Sequence, residues 1–600
     1  MTRARPDTGP SLPPVAPEVF AAAVESLTTR LRRRLDPAVE SLAATPVDTA
    51  ADGTYGIRFG EDARVTLTPG PSGTITSPDQ AHCTCLLSPR CLHRAAVLGA
   101  SPVTDALPSP TKAPPAESVS SAEPSPPAEP APKPPSAGQV RAAGGLWTAA
   151  SAVLAAGATA AGAVPQAELL RAAHTARLAG LHRAEAAALG VVRHVRDARG
   201  PQGAHQAHRT GELVAALREL LLVTHRLKAS DPDPGLIGGV PRNHHPDQPL
   251  RLYGVCREPV VGPGGTGGVV THLVDDTGRW YTLRDVGPGG PARARRAGTA
   301  HVALRSLLSD HERLSRGGVI VTGAVVAPDG RLLAERGARA AFAAGRPWSD
   351  AVPAATAAAA PDGAGHAPPL TRCDVEIVAA DGEGVLVRVL TDDAPGPAVR
   401  LAPAHRHPVL AHTANLRRLG ACPGLRVRVL GRVDPDRVTT LRPLAVGPVP
   451  GAGASTLRLQ GRWQDRADLG YDLLVDEHFP PEAPCPSPSP LTAADGGPFD
   501  SPLRRVRDLV ELAVTGGRRA AAEPARDGDR DGHAAALRRG GFTTGADLFA
   551  ALGAVAARRP RDAFGRPAGD DQDHYAAQWL ATAVYLAGTE EALGRALWHR

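Results

Sequence analysis

Several residue types are scarce in this chain of 600 residues. Aromatic residues make up 3% of it and methionine occurs once, so hydrophobic cores have to be built from Ala, Val and Leu. Seven cysteines are an odd and sparse set for this length, which argues against a disulfide framework. Lysine occurs only three times among the 67 basic residues, a bias toward Arg that is typical of a GC-rich genome and is not itself a signal for phosphate binding.

Strong charge and apolar targeting segments are also lacking. The formal net charge of +6 is small for this length and far from the basicity of a dedicated nucleic-acid protein. No apolar stretch follows the first residues, so we predict no signal peptide. Residues 146–164 carry no charge and are long enough to span a membrane. Their richness in Ala and Gly and the following Pro165 favour a packed helix, and we expect a cytoplasmic protein.

Glycine and proline are plentiful, and they mark the boundaries between domains. With 64 Gly and 60 Pro, a chain of this size is expected to form two to four domains with long connections. The clearest boundary is residues 101–140, where Pro, Ala, Ser and Glu alternate with almost no large apolar residue. Such a segment cannot offset the entropy cost of ordering. We therefore predict a disordered linker at 101–140 that follows a first module at 1–100.

Hydrophobic periodicity predicts the rest of the organisation. The 3.6-residue period predicts a helical domain at 141–230, with one helix over Glu168–Val195 and another over Gly211–Leu227. From about Leu250 the period changes to two. This change predicts a β-rich unit at 250–345 and a second at 371–478, including a hairpin from 457–463 and 470–475. A C-terminal helical region is predicted at 500–600.

Short strands joined by hairpins fit either small barrels of the OB type or open sheets, and the sequence does not choose between them. The expected fold class is α+β multidomain. It comprises an N-terminal ββα zinc finger module, a central helical region, β-rich and possibly OB-like units, and C-terminal helices.

One short stretch carries recognisable chemistry. Three thiols and an imidazole fall within eleven residues, at Cys83, Cys85, Cys91 and His93. Zinc prefers four such ligands in a tetrahedron, and Cys₃His is a common structural set. Cys83 and Cys85 project to the same side of an extended segment, and the loop Leu86–Arg90 returns the chain. Cys91 and His93 open a predicted helix, whose N-terminal amides favour thiolate.

This ligand set has two alternatives. The four residues can instead be buried free thiols and an ordinary histidine, and the adjacent His82 can compete as a ligand.

A closed set of four protein ligands leaves no position for an activated water, so the metal would hold the fold rather than catalyse. Lone buried thiols are expected for the scattered Cys256, Cys373, Cys422 and Cys485. His405, His407 and His412 are read as a solvated loop, with a second metal site as the alternative.

The spacing C-x-C, a short loop, then C-x-H at the start of a helix resembles the SWIM zinc finger, a compact ββα module. The resemblance covers about residues 55–100, and bacterial members of the family look like components of larger assemblies. It implies one structural Zn²⁺ ion bound by Cys83, Cys85, Cys91 and His93, with strands at 56–59 and 63–68. It also implies a protein or DNA partner. Many members have aromatic or basic residues in the loop between the ligand pairs, whereas here that loop is mostly apolar.

Charge favours a protein partner over nucleic acid. Residues 1–100 contain ten Arg, no Lys and ten Asp plus Glu, which leaves no surplus for neutralising phosphates. We therefore predict a non-enzymatic, zinc-binding interaction protein that contacts a protein partner within a larger assembly. The alternative is a nucleic-acid-binding protein that uses the finger together with an OB-like unit. No catalytic or cofactor-binding residues are predicted, although an activity of the central and C-terminal domains stays open.

Overall fold

The computed structural model describes residues 12–104, 134–238, 244–348, 370–480, 503–558 and 570–598. Short gaps lie at 43–44, 51, 61–62, 200–205, 245, 247, 263–264, 303, 305–306, 308, 328–329, 334–337, 382–383, 392–395, 435–436, 460 and 524–529. Most of the predicted linker at 101–140 and the lone Cys485 lie outside the described residues. The chain is a mixed α/β multidomain protein that divides into two compact units, Met1–Gly239 with Arg505–Tyr585, and Val240–Arg504 with Leu586–Arg600.

The first unit begins with a small helix–sheet–helix arrangement. Its helices and strands are α1 (Pro17–Glu25), α2 (Thr29–Arg32), α3 (Leu35–Ser41), β1 (Val47–Thr49), β2 (Tyr55–Phe59), β3 (Ala63–Leu67), β4 (Ala81–Cys83) and α4 (Leu92–Ala100). The four strands form one antiparallel sheet in the order β1-β2-β3-β4. Along β3, Ala63, Val65 and Leu67 are buried whereas Arg64 is exposed, so one face packs on α4 and the other faces solvent. The sheet thus has four strands where the resemblance implied two.

Four long helices follow, namely α5 (Ala137–Ala156), α6 (Ala163–Leu178), α7 (His182–Arg199) and α8 (Gln206–Lys228). The helix predicted over Glu168–Val195 is divided into α6 and α7. Gly180 has φ of 77°, a conformation that suits glycine, and the N–H of Leu181 bonds back to the carbonyl of Ala176. As a result Leu178, which the 3.6-residue period places on the apolar side of the predicted helix, is 76% exposed. No helix in the described part of the chain combines the length and the apolarity needed to cross a membrane.

The second unit contains two β-rich regions. The first comprises β5 (Leu250–Val261), β6 (Thr266–Val274), β7 (Trp280–Pro288), β8 (Gly318–Thr322), a short hairpin of β9 (Val325–Val326) and β10 (Leu332–Leu333), and β11 (Arg339–Ala343). Its five-stranded antiparallel sheet has the order β11-β8-β5-β6-β7. Helices α9 (Gly290–Ala297) and α10 (His311–Arg316) connect β7 to β8. Leu252, Leu273 and Val319 are fully buried in its core.

The second region is a closed barrel of five strands, which are β12 (Leu370–Asp381), β13 (Gly384–Val389), β14 (Ala398–Leu401), β15 (Arg426–Asp434) and β16 (Arg437–Pro448). Neighbouring strands pair in the order β14-β13-β12-β15-β16, and a parallel pairing of β14 with β16 closes the ring. Helix α11 (His412–Gly420) connects β14 to β15 and packs on β12 and β13. Alternating Val and Leu side chains fill the interior.

The hairpin predicted from 457–463 and 470–475 does not form. Among the described residues of that stretch, the strand is β17 (Ala467–Asp468), which pairs with β16. Trp463 instead ends a short 3-10 helix, Leu474 lies outside any strand, and both are buried against the barrel core. These segments therefore cap the barrel rather than extend its sheet.

A buried group of charges joins the two β-rich regions. The Arg257 side chain, 2% exposed, donates from Nε to Asp468 at 3.0 Å and from Nη2 to Asp472 at 2.7 Å. Arg316 donates to the other oxygen of Asp472 and, at 2.8 Å, to Glu312. Because each buried charge has partners of opposite sign, the junction avoids the large cost of an unpaired buried ion. The C-terminal helices of the chain are α12 (Leu503–Ala521), α13 (Arg530–Arg539), α14 (Thr543–Ala557) and α15 (Asp570–Trp598).

Candidate metal centre

The four residues with metal-ligand spacing come together at the end of the four-stranded sheet. Cys83 is the last residue of β4, Cys91 is the N-cap of α4, and His93 lies in the first turn of that helix. Cys85 lies in the loop between them. One ligand atom from each residue lies within 4.8 Å of the other three. Bonds of about 2.3 Å to sulfur and 2.0 Å to nitrogen place tetrahedral ligand atoms within this range, so the group is able to hold one metal ion.

The imidazole of His93 fits a metal ligand better than an ordinary core histidine. Its Nδ1 atom is buried and has no hydrogen-bond partner. A buried polar atom without a partner is costly, and a bond to a metal would satisfy it. Burial lowers the pKa of His93, which favours the neutral ring that metals bind. The ring lies 4.8 Å from that of Phe59, and this contact helps to fix its orientation.

Two of the three thiols are buried and the third is partly buried, so their thiolate forms need a nearby cation. Burial raises the pKa of Cys83 to about 12, against a hydrogen bond from the backbone N–H of Cys85. Burial likewise raises the pKa of Cys91, whose Sγ accepts the N–H of Arg94 at 3.4 Å. For Cys85, burial is outweighed by hydrogen bonds from Cys83 and from the backbone of Leu87, and the pKa is lowered. The backbone donors are therefore already aimed at sulfur, and a divalent ion would stabilise all three thiolates.

Arg94 holds the segments that carry the ligands. Its side chain is buried, and it donates from Nε to the carbonyl of Ala81 at 2.8 Å, from Nη1 to Pro89 at 3.3 Å and from Nη2 to Pro78 at 2.8 Å. Pro78 precedes β4, Ala81 begins β4, and Pro89 lies near the end of the loop between the ligand pairs. One guanidinium therefore connects both ligand pairs to α4. The sequence does not reveal this role of Arg94, because the carbonyls it binds cannot be read from side-chain patterns.

The loop between the ligand pairs exposes two large apolar side chains. Leu86 is 104% exposed and Leu87 is 63% exposed, relative to an extended reference state. The sequence showed that this loop is apolar, but an apolar loop is as often buried as exposed. The structure shows that both leucines face solvent beside the ligand group.

The other candidate residues do not join this group. His82 is exposed, because side chains alternate along β4 and its neighbour Cys83 faces the core. Cys256 and Cys373 are buried separately in the two β-rich regions, and Cys422 is partly buried. Among the described residues, Cys83, Cys85, Cys91 and His93 are the one group of three or more potential ligands that converges. His405, His407 and His412 form no such group.

Comparisons with known proteins add little to this geometry. No family model and no curated protein matches the chain. A solved structure described as "Structural mimicry for functional antagonism" is 10% identical over 32% of this chain and 86% of that chain, with a TM-score of 0.17. At that score the likeness carries no argument about fold or function. What the chain can do therefore has to be argued from its own residues.

Proposed function

We propose that the N-terminal module, residues 12–104, is a zinc-stabilised, SWIM-like finger that contacts a protein partner within a larger cytoplasmic assembly and catalyses no reaction. The donor set supports zinc, because three thiolates and one imidazole in a closed tetrahedral arrangement are the ligands of structural zinc sites. The order and spacing of Cys83, Cys85, Cys91 and His93 support the SWIM assignment. Four protein ligands leave the ion no open position for substrate.

The exposure of Leu86 and Leu87 is the observation that carries the choice of a protein partner. These side chains lie between Cys85 and Pro89, and the carbonyl of Pro89 accepts a hydrogen bond from Arg94. Two adjacent leucines on a constrained loop form an apolar projection that water solvates poorly. Burying each against a partner would contribute about 1.5–3 kcal/mol. Nucleic acid offers few apolar surfaces of this kind outside stacked bases, whereas a protein pocket does.

A second function, nucleic-acid binding, is favoured by the closed barrel of β12–β16. Five strands with a helix between the third and fourth form the pattern of the OB-fold, which often binds oligonucleotides. On the outer face of this barrel, however, Arg428 donates to both oxygens of Asp374 at 2.7 and 2.8 Å. Arg426 lies 3.5 Å from Glu376. Arginines paired with carboxylates contribute less to phosphate binding, so we place this function second.

Affinity capture with a matched pair of variants tests the first proposal. The zinc-loaded full chain, the Leu86→Ser/Leu87→Ser variant and a Leu178→Ser control are used to capture proteins from native lysate with and without nuclease treatment. Leu178 is a suitable control because it is 76% exposed and lies at the end of α6. We expect a set of proteins that the full chain and the control retain and the double variant loses.

Two outcomes would overturn the proposal. One is a captured set that disappears on nuclease treatment, and the other is a set that the double variant retains unchanged. Filter binding of a labelled single-stranded oligonucleotide over a salt series tests the second function. A steep decrease of affinity with salt would support it, and no retention at low salt would exclude it.

A further inference from the structure

The exposed face of the finger sheet carries two arginines in direct opposition. Arg58 on β2 and Arg64 on β3 are register partners, and both are exposed. Like charges directly opposite each other on antiparallel strands are destabilising. Asp48 lies 3.9 Å from Arg58, but both side chains are more than half exposed, so this ion pair offsets little of the repulsion. An anionic ligand between the two guanidinium groups would relieve it.

Gly56 gives the Arg64 side chain room to lie across this face. A Cβ atom at Gly56 would be 2.4 Å from Nη2 of Arg64, so a larger residue there would push the guanidinium away. With glycine, the guanidinium lies over the backbone of β2. The two arginines therefore lie on one open face of the sheet, which also carries one carboxylate, that of Asp48, the register partner of Gly56.

Thr84 links the strand that carries Arg64 to the loop that carries the exposed leucines. The N–H of Thr84 donates to the carbonyl of Arg64 at 3.0 Å, and the Thr84 Oγ1 accepts the N–H of Arg64 at 2.9 Å. Thr84 is followed by the ligand Cys85 and then by Leu86 and Leu87. Arg58, Arg64, Leu86 and Leu87 are named here the arginine–leucine strip.

We propose that the arginine–leucine strip binds an acidic peptide segment that also bears large aliphatic side chains, within a protein partner. This inference rests on the proposed function and adds the chemistry of the partner. Carboxylates of the segment would bind the guanidinium groups, which match them in shape and charge. Aliphatic side chains would cover Leu86 and Leu87. A phosphate backbone would satisfy the arginines but leave the leucines in water.

Selection from a random dodecapeptide phage library, with the zinc-loaded full chain as target, tests this inference. We expect the selected peptides to be enriched in both Asp or Glu and Leu, Ile or Val. A selected peptide is then synthesised with a fluorescent label, and its dissociation constant is measured by anisotropy.

Three double variants define the expected pattern. Arg58→Glu/Arg64→Glu and Leu86→Ser/Leu87→Ser should each weaken binding at least tenfold, whereas Arg58→Lys/Arg64→Lys, which keeps the charge but not the fork of donors, should be intermediate. Arg295→Glu/Arg296→Glu, two exposed arginines on α9, is the matched control and should bind like the unaltered chain. Zinc content and resistance to protease confirm that each variant is folded.

The inference is wrong if no peptide is enriched, if acidic residues are not enriched, or if Arg58→Glu/Arg64→Glu binds as tightly as the unaltered chain. It is also wrong if the unaltered chain binds a labelled 30-nucleotide single strand and Arg58→Glu/Arg64→Glu does not. If the leucine variant loses partner capture from lysate and the arginine variant does not, the proposed function stands and only the acidic segment is excluded.

Discussion

The finger and the closed barrel each pack a helix on a β-sheet, but their strands and cores differ. The barrel hydrogen-bonds each of its five strands to two neighbours and fills its interior with fully buried Val and Leu, such as Val387 and Val427. In the finger, β1 and β4 have three residues each, and two of its buried side chains are the thiols of Cys83 and Cys91. If the proposed zinc site is occupied, a metal cross-link would add stability to this small sheet.

Removal of the metal should produce the largest difference between the two regions. Binding of structural zinc contributes about 10–16 kcal/mol in small zinc domains, so a strong chelator should unfold the finger and leave the barrel folded. Hydrogen exchange followed by mass spectrometry measures both at once. Peptides covering residues 55–100 should lose protection, whereas peptides covering 370–448 should keep it. Equal loss in both, or in neither, contradicts the account.

Replacement of single thiols sharpens the comparison. Cys85→Ser removes one ligand, and we expect the zinc content to fall from one ion per chain to nearly none. The same change at Cys422, a partly buried thiol packed against the barrel core, should leave the zinc content at one. Elemental analysis of both purified variants provides the measurement. A Cys85→Ser protein that still binds one tightly held zinc would show that the ligand set is wrong.

The charged junction beside the barrel should respond to loss of one partner without affecting the finger. Arg257→Met leaves Asp468 and Asp472 without one of their cations, and such losses at buried ion pairs cost about 3–5 kcal/mol. The free energy of unfolding should fall by this amount. Urea unfolding followed by hydrogen exchange in β5 measures it. Arg296→Met, a change at an exposed arginine, is the control. If both variants unfold at the same urea concentration, the buried pairs contribute little.

The smallest predicted effect concerns Arg94. Residues that hold metal ligands in place typically change metal affinity 10–100-fold when replaced. Arg94→Gln should therefore weaken zinc binding by this factor, because Ala81, Pro78 and Pro89 lose their common donor. Arg94→Lys keeps the charge but not the fork of donors and should be intermediate. Competition with a coloured chelator measures all three proteins, and Arg90→Gln is the control. No change in Arg94→Gln would assign it a purely peripheral role.

Local patterns in the sequence predicted the metal-binding group, because its ligands lie within eleven residues and their spacing constrains the geometry. The change to a two-residue period likewise predicted β-rich structure in the part of the chain that forms β5–β17. Closure of the barrel was not predictable in this way. It depends on the pairing of Arg400 with Thr440, forty residues apart, and strand patterns do not specify partners at that distance.

Other misses have local causes that the sequence contains but that periodicity alone does not weigh. Gly180 interrupts an otherwise continuous helical stripe, and its ability to adopt positive φ ended the helix. In the segment after β16, the predicted hairpin places Trp463 and Leu474 in strands. In the structure neither lies in a strand, and both are buried against the barrel core. The function of Arg94 depends on backbone carbonyls, which no side-chain motif reveals.

The metal content of the full chain tests the central claim most directly. The chain is purified without added metal or chelator, and zinc and protein are quantified in the same sample. We predict one zinc ion per chain and, after exchange with cobalt, the absorption of a tetrahedral thiolate site. A preparation that is folded and resistant to protease over residues 55–100 but carries less than a tenth of an equivalent of any metal would contradict it.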